Sequence, residues 1–266
     1  MSFKLTILGC GSSGGVPRIG GDWGKCDPSN PKNRRLRCSA LVEHSNVAGT
    51  TRLLIDTSPD MRQQMLAAQV PALDAVWYTH EHADHTHGID ELRVFFLMQK
   101  KRVPVYADLA TSTMLRHRFA YCFADNQGYP ATAELGLLES GQVLQVKGAG
   151  PDIVGLPFEV RHGDINALGF RFGSVAYLPD VNGLPKAAKA AISGLDVLII
   201  DALRYAKHPS HFSLAETLEV IAEVKPKRAI LTNMHIDLDY ETLRRELPNG
   251  VEPAYDGMTV EMKTLG

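Results

Sequence analysis

Tyr78-Thr79-His80-Glu81-His82-Ala83-Asp84-His85-Thr86-His87-Gly88 follows directly on the apolar run Ala75 to Tyr78. A short β-branched and aromatic run of this kind reads as a buried strand, so the histidines occupy the loop at its end. Such a loop can hold several ligands rigidly while leaving a coordination position open to solvent. Three imidazoles and the Asp84 carboxylate fall within six residues, His80 to His85. That donor set suits zinc, manganese or iron. His80 and His82 can converge on one ion from a short turn, and Asp84 and His85 can then face a second. The alternative, a histidine-rich polar loop without metal, is disfavoured because a full H-x-H-x-D-H after an apolar strand is far more specific than a lone pair.

Outward from this stretch the chain alternates short apolar runs with helix-like segments. Lys4 to Leu8, Arg52 to Ile55, Val103 to Tyr106, Ser174 to Leu178, Val197 to Ile200 and Ala229 to Leu231 read as strands. Met61 to Ala68, Thr111 to Phe123, Pro185 to Ser193 and Ser213 to Val224 read as helices, the last with helical spacing at Leu214, Thr217, Leu218 and Ile221. Ser213 with Glu216 forms the signature of a capping box. Strand clusters in both halves, mixed with helices and without a linker, fit two sheets packed between helical layers. The segment from Ala124 to Ser140 reads as an irregular excursion near the site.

Composition sets the outer bounds. The 266 residues are 44% hydrophobic and 22% charged, ordinary for one large domain spanning 1–266. A net charge of -2 gives no basic footprint of the kind nucleic-acid binders carry. Nucleic acid is therefore not the expected partner. Cys10, Cys26, Cys38 and Cys122 form no CxxC pair and suggest neither a disulfide framework nor a zinc knuckle. The first residues are too weakly apolar for a signal peptide, and no run approaches the roughly 18 apolar residues of a membrane helix. A cytoplasmic location without membrane attachment is expected, and a homodimer is left open.

The motif His80-Glu81-His82-Ala83-Asp84-His85 resembles the metal-binding signature of the metallo-β-lactamase superfamily, and the likeness runs along essentially the whole chain. It implies an α/β fold, the αβ/βα four-layer sandwich of two mixed β-sheets flanked by helices. It also implies a later His, a bridging Asp and a final His. His162 follows the strand-like Phe158 to Arg161, and Asp180 follows Val175 to Pro179. The resemblance thus implies His80, His82 and His162 on one ion, Asp84, His85 and a final His on the other, and Asp180 bridging two divalent ions, zinc or manganese. The usual position of the final His is taken here by Asn233, in Thr232-Asn233-Met234-His235. Neutral imidazole is the better transition-metal ligand, so His235 is expected to serve, with Asn233 or no protein ligand as the alternative.

Within the superfamily the chain resembles the phosphodiesterases that open phosphoribosyl cyclic phosphates in the carbon-phosphorus lyase pathway. The features are Gly9 to Pro17, Arg34 to Val42, Asp237 to Tyr240, and Tyr255-Asp256-Gly257-Met258. The Gly-rich opening and the Asp-Gly-Met recur in transfer-RNA 3′-processing enzymes, so they mark the phosphodiesterase branch more than one substrate. Those relatives carry a structural zinc held by cysteines after Gly-Val-Pro. Here Gly21 and Trp23 stand at those positions and only Cys26 remains, so that ion is not expected.

The same resemblance places His211, before the clear helix, on the phosphate or the leaving alkoxide. Asp84 and His211 are the expected catalytic side chains, Asp84 also as ligand. Asp56 and Asp201 end apolar strands and are expected to orient ligand histidines. The expected reaction is metal-activated hydrolysis of a small or cyclic phosphodiester, the partner being a small phosphorylated substrate or nucleotide. Hydrolysis of a thioester, lactone or β-lactam on the same fold, or nucleotide binding without turnover, are the alternatives. Gly11 to Gly15 reads either as a phosphate cradle or as a tight turn. Lys32, Arg34, Arg35 and Arg37 read as a solvated basic loop, and His208 as a weaker candidate for the site.

Overall fold

The structure is a computed structural model that describes residues 1–126 and 128–262. Two seven-stranded sheets form the body of the molecule. The first contains β1 (Ser2–Gly9), β2 (Ser39–Asn46), β3 (Gly49–Ile55), β4 (Ala75–Trp77), β5 (Val103–Ala107) and β6 (Ala133–Leu137), with β14 (Met258–Met262) added beside β1. The second runs β13 (Val251–Pro253), β12 (Arg228–Thr232), β11 (Val197–Asp201), β10 (Val175–Leu178), β9 (Ile165–Phe172), β8 (Ile153–His162), β7 (Leu144–Val146). Both sheets are mixed, with parallel pairs such as β3 with β4 and β11 with β12 beside antiparallel β1 with β2 and β8 with β9.

The alternation of side chains along each strand explains the layering. In β3, Leu53 and Ile55 enter the core between the sheets, whereas Leu54 faces the opposite way into a second cluster. Trp77 lies fully buried on the inner face, its ring 5.4 Å from Phe170 and 5.8 Å from Phe172 of the other sheet. Truncating such an anchor to alanine costs about 3–5 kcal/mol. On the outer face the second cluster unites Leu54, Val76 and Tyr78 with Met61 and Met65 of α1 (Met61–Ala67) and Leu92 and Phe95 of α3 (Leu92–Gln99). The expected four-layer sandwich of two mixed sheets flanked by helices is observed.

The remaining helices are α2 (Ala83–Thr86), α4 (Leu109–Arg118), α5 (Ala120–Phe123), α6 (Lys186–Ala191), α7 (Leu214–Val224) and α8 (Tyr240–Glu246). The capping box of α7 forms as its sequence dictates, Ser213 and Glu216 each satisfying the other's backbone N–H. The single helix expected over Thr111 to Phe123 is divided at Phe119, whose backbone leaves the helical region. The irregular excursion expected from Ala124 to Ser140 is corrected. Ala133–Leu137 is a regular strand, parallel to β5 at the edge of the first sheet. An edge strand needs only one paired side, and its mixed exposure hid it from pattern reading. Among the described residues no helix is long and apolar enough to cross a membrane.

Candidate metal centre

Most of the candidate groups stand where a strand ends. Asp56 follows β3, His80, His82, Asp84 and His85 follow β4, His162 closes β8, Asp180 follows β10, Asp201 closes β11, and Asn233 follows β12. The two sheets therefore deliver these side chains to one rim. Gly88 tightens this corner by close approach, since a Cβ there would lie 2.1 Å from the Ser58 carbonyl oxygen. Asp56 and Asn233 turn the chain with φ of 61° and 59°, a left-handed conformation that Asp and Asn tolerate better than branched residues.

Hydrogen bonds fix which ring nitrogen of each histidine is available. Asp56 Oδ2 accepts from the Thr79 hydroxyl at 2.8 Å and from His85 Nδ1 at 2.8 Å. The Thr79 hydroxyl, having donated to Asp56, is the acceptor for His80 Nδ1 at 3.0 Å. His162 Nδ1 donates to the Ser210 carbonyl at 2.7 Å. In His80, His85 and His162 the Nδ1 is thus spent as a donor, and the lone pair sits on Nε2. His80 Nε2 and His162 Nε2 converge on His82 Nδ1 at 3.0 and 3.1 Å. His85 Nε2 stands 3.1 Å from Asp180 Oδ2.

Both of those last atoms are buried and lack a hydrogen-bond partner. Two lone pairs facing each other away from water demand a cation between them. In the metal-free chain that cation is a proton. Burial would lower the His85 imidazole, but Asp180, Asp84 and Asp56 outweigh it and hold it well above its ordinary range. Burial would raise Asp180, but chiefly His85 drives it well below. Burial keeps His80 and His162 low and hence neutral, as ligation requires. Three overlapping groups, His80–His82–His162, His80–His85–Asp180 and His162–Asp180–His211, each bring their ligand atoms within 4.8 Å of one another. Asp84 Oδ2 lies 3.6 Å from His85 Nε2, beside the second group. The residues present fit divalent metal binding.

His211 Nδ1 meets Asp201 Oδ2 at 2.7 Å and lies 3.8 Å from Asp180 Oδ1. Burial alone would lower this imidazole, but Asp201 and then Asp180 lift it to about 9. Asp201 itself is pushed up to about 7 by burial, with His211 opposing. The expectation that Asp56 orients a ligand histidine matches its contact with His85, whereas Asp201 meets His211, a residue expected outside the ligand set. His208 reaches only the Ser210 backbone N–H and hydroxyl, with its ring 5.1 Å from that of His211.

The structure does not bring His235 into any of these groups. Its Nδ1 meets Asp237 Oδ1 at 2.9 Å and its Nε2 meets the Arg18 guanidinium. The left-handed turn at Asn233 sends that amide to the centre instead, where Nδ2 donates to Asp201 Oδ1 at 3.3 Å and Asp180 Oδ1 at 3.4 Å. His235, Arg18, Arg204, Ser12, Ser13 and His208 then form the walls of a cleft of about 410 Å³ with His82, Asp84, His162, Asp180, His211 and Asn233.

Residues 51–236 match the model of the beta-lactamase superfamily domain. The chain belongs to this superfamily. A solved diphosphatase of the PhnP family superposes with a TM-score of 0.88 and 36% identity, covering 98% of each chain. Among curated proteins, the octanoyltransferase of Porphyromonas gingivalis is 34% identical over 96% of this chain and 51% of its own length. The ribonuclease Z of a Bradyrhizobium strain is 33% identical over 56% of this chain and 48% of its own. The chain spans about half the length of these curated relatives. The resemblance drawn from the motifs holds at the level of the superfamily and of likeness to a PhnP-family structure.

Other readings of this superfamily member resolve differently. The Gly11 to Gly15 segment is a turn, with Gly11 N, Ser12 N and Gly15 N spent on backbone carbonyls of Leu36, Met234 and Ser12. Its neighbour Gly9 permits close packing, since a Cβ there would sit 2.1 Å from the Arg37 carbonyl oxygen. The basic cluster is no solvated loop. Arg35 is buried and donates to the carbonyls of Leu238 at 2.7 Å and His235 at 3.3 Å. Arg37 pairs with Asp60, and Lys32 lies over the rings of Tyr240 and Tyr255. Cys26 packs with Val16, Ile236 and Trp23 beneath Arg35, its thiol 3.5 Å from the Leu238 carbonyl. Of the histidines without a role, His44 meets the Asp152 carbonyl and His87 packs on Phe119. Sequence reading missed Thr79, the relay between Asp56 and His80, although its place just before the histidines was the available signal. It also missed Arg18 and Arg204, which carry no motif of their own.

Proposed function

We propose that the chain is a metal-dependent phosphodiesterase acting on small or cyclic phosphodiesters. The observation that carries the metal dependence is the buried pair of facing lone pairs, His85 Nε2 and Asp180 Oδ2, 3.1 Å apart beside three converging imidazoles. His80, His82 and His162 would hold one ion and Asp84 and His85 the other, with Asp180 shared and Asn233 at the corner. Zinc or manganese suits this nitrogen and oxygen set. Such ions supply an activated water at neutral pH and neutralise a non-bridging phosphate oxygen.

What remains is done by the chain's own side chains. Asp56 and Ser210 hold the ring protons of His85 and His162 away from the centre, keeping each Nε2 a donor of its lone pair. Asp201 binds His211 through Nδ1. The other nitrogen of His211 is left for the substrate, where a protonated ring donates its proton to the departing alkoxide. That role favours a phosphodiester, whose alkyl or ribosyl leaving group departs poorly without a proton. The 36% identity to a diphosphatase over 98% of the chain, and the partial match to ribonuclease Z, support phosphoryl chemistry. The match covers only 51% of the octanoyltransferase, so its activity is weaker guidance.

The test is metal analysis of the purified protein, then turnover of bis-para-nitrophenyl phosphate, cyclic nucleotides, lactones and thioesters with each metal restored. Diester turnover that a chelator abolishes and metal restores supports the reading. Turnover confined to thioesters or lactones overturns it.

A further inference from the structure

The two sides of the metal centre are built from different donors. On one side three imidazoles converge, His80 Nε2 and His162 Nε2 standing 3.0 and 3.1 Å from His82 Nδ1, and Asp180 Oδ1 lies 3.9 Å from His162 Nε2. Three imidazoles and a carboxylate supply the four ligands that zinc prefers. On the other side a single imidazole meets two carboxylates, Asp180 Oδ2 at 3.1 Å and Asp84 Oδ2 at 3.6 Å from His85 Nε2. The next side chain at that corner is Asn233.

Asn233 arrives there with an atom that cannot bind a metal. Its side chain is buried, and Nδ2 faces Asp201 Oδ1 at 3.3 Å and Asp180 Oδ1 at 3.4 Å. An amide nitrogen that donates to carboxylates has no lone pair to offer an ion. Its bond to Asp180 also draws on the one carboxylate that both sides share. The carboxamide oxygen left over is neutral, and lies outside the thiolate, imidazole and carboxylate donors from which zinc sites are made. His235 does not fill the gap, since Asp237 and Arg18 occupy both of its ring nitrogens. His211 groups with His162 and Asp180, not with His85.

Resting on the metal-centre reading above, we infer that Asn233 makes the two positions unequal: the chain keeps one ion tightly on His80, His82 and His162, and takes a second, exchangeable ion on Asp84, His85 and Asp180 only as free metal rises. Turnover that needs both ions then follows the free metal concentration, so the second ion regulates the centre it completes. Loss of an orienting partner alone weakens metal binding 10- to 100-fold, and loss of a ligand should separate the two constants by more than about 100-fold.

The experiment is zinc titration of the metal-free full chain against a competing chelator, read beside NMR of the histidine rings. Wild type should give two constants more than about 100-fold apart. The rings of His82 and His162 should respond to the tighter ion and that of His85 to the looser one. Asn233→His offers the missing imidazole at a left-handed position that histidine also adopts readily, and should tighten the looser constant at least about tenfold. Asn233→Asp keeps the size of the side chain, guards against misfolding of the larger histidine, and should tighten the same constant by supplying a carboxylate. Wild-type constants within about tenfold of each other, or a looser constant unmoved in both folded variants, overturn the inference. So does a looser ion on the His82 side. Protein that holds no zinc at all overturns it together with the metal-centre reading. Unequal constants without turnover of bis-para-nitrophenyl phosphate uphold it and remove only the phosphodiesterase reading, so the two fail separately.

Discussion

Replacing Asp56 by Asn tests whether the hydrogen-bond chain behind the histidines sets metal affinity. The backbone there has φ of 61°, a conformation Asn shares readily, so the substitution introduces no new strain. The carboxamide oxygen can keep the 2.8 Å bond from Thr79 N, but the amide nitrogen then takes the place of Oδ2, which now accepts from His85 Nδ1 at 2.8 Å. Two donors cannot face each other, so His85 moves its proton to Nε2. The ring is fully buried and cannot turn to solvent for relief. Nε2 is the atom that faces Asp180, and with a proton on it the second ion loses a ligand unless the ring reverts at a cost. Loss of such an orienting partner typically weakens metal binding 10- to 100-fold, about 1.4–2.7 kcal/mol. The site built on His80, His82 and His162 should weaken less, since only His80 is reached, through the Thr79 hydroxyl that donates to Asp56 Oδ2, while His162 keeps its bond to the Ser210 carbonyl. Chelator competition fitted with two sites measures both constants, and near-UV circular dichroism checks the fold. Equal affinities for wild type and variant at both sites would refute the tautomer argument.

Removing His211 as alanine should retain both ions yet slow turnover roughly 10²- to 10⁴-fold, the range of general acid catalysis. The defect should be larger for an alkyl or ribosyl leaving group than for para-nitrophenolate, and an equal defect would point to phosphate binding in place of proton donation. In the metal-free protein the His211 ring should titrate near 9 by NMR, lifted by Asp201 despite burial. A raised histidine value stabilises the fold below its ordinary value near 6.5 and loses that contribution as pH rises through about 9. Asp201, raised to about 7, acts in the same direction at lower pH, so metal-free stability should fall from mildly acidic to alkaline pH. His211→Ala should remove the His211 share of the fall and, without His211 to oppose it, move the Asp201 share to higher pH, and an unchanged pH profile of stability would count against the assignment. Asp239 caps α8 by accepting from Thr242 N at 2.9 Å and also holds Asn33 Nδ2 at 2.7 Å. Asp239→Ala should therefore cost about 1–2 kcal/mol in urea unfolding at fixed metal load, and a loss below about 0.5 kcal/mol would show the cap is not contributing.

The centre was legible where one continuous stretch supplies the chemistry. His80, His82, Asp84 and His85 follow a short apolar strand, and local chain geometry alone obliges their side chains to share a corner. The strands whose both faces are buried, such as β4 and β11, announced themselves as unbroken apolar runs, and the capping box of α7 is a contact within four residues. Likeness of motif, not periodicity, brought in His162 and Asp180 from the other sheet. The edge strand β6 and the break at Phe119 escaped because partial exposure dilutes the pattern on which such readings depend.

Tertiary structure decided the rest, because the deciding contacts join residues far apart in the chain. Which nitrogen of each histidine bears the lone pair depends on Asp56, Thr79 and the Ser210 carbonyl, and a carbonyl has no signature in sequence. The basic run at Arg34 to Arg37 looks solvated until the fold buries Arg35 against the backbone of Leu238 and His235. Composition favoured His235 over Asn233, since imidazole is the better ligand. The left-handed turn at Asn233 reverses that choice in space, aiming the amide at Asp180 and Asp201 and leaving the imidazole between Asp237 and Arg18. Sequence determines which donors the chain possesses, and backbone direction at the strand ends determines which of them meet.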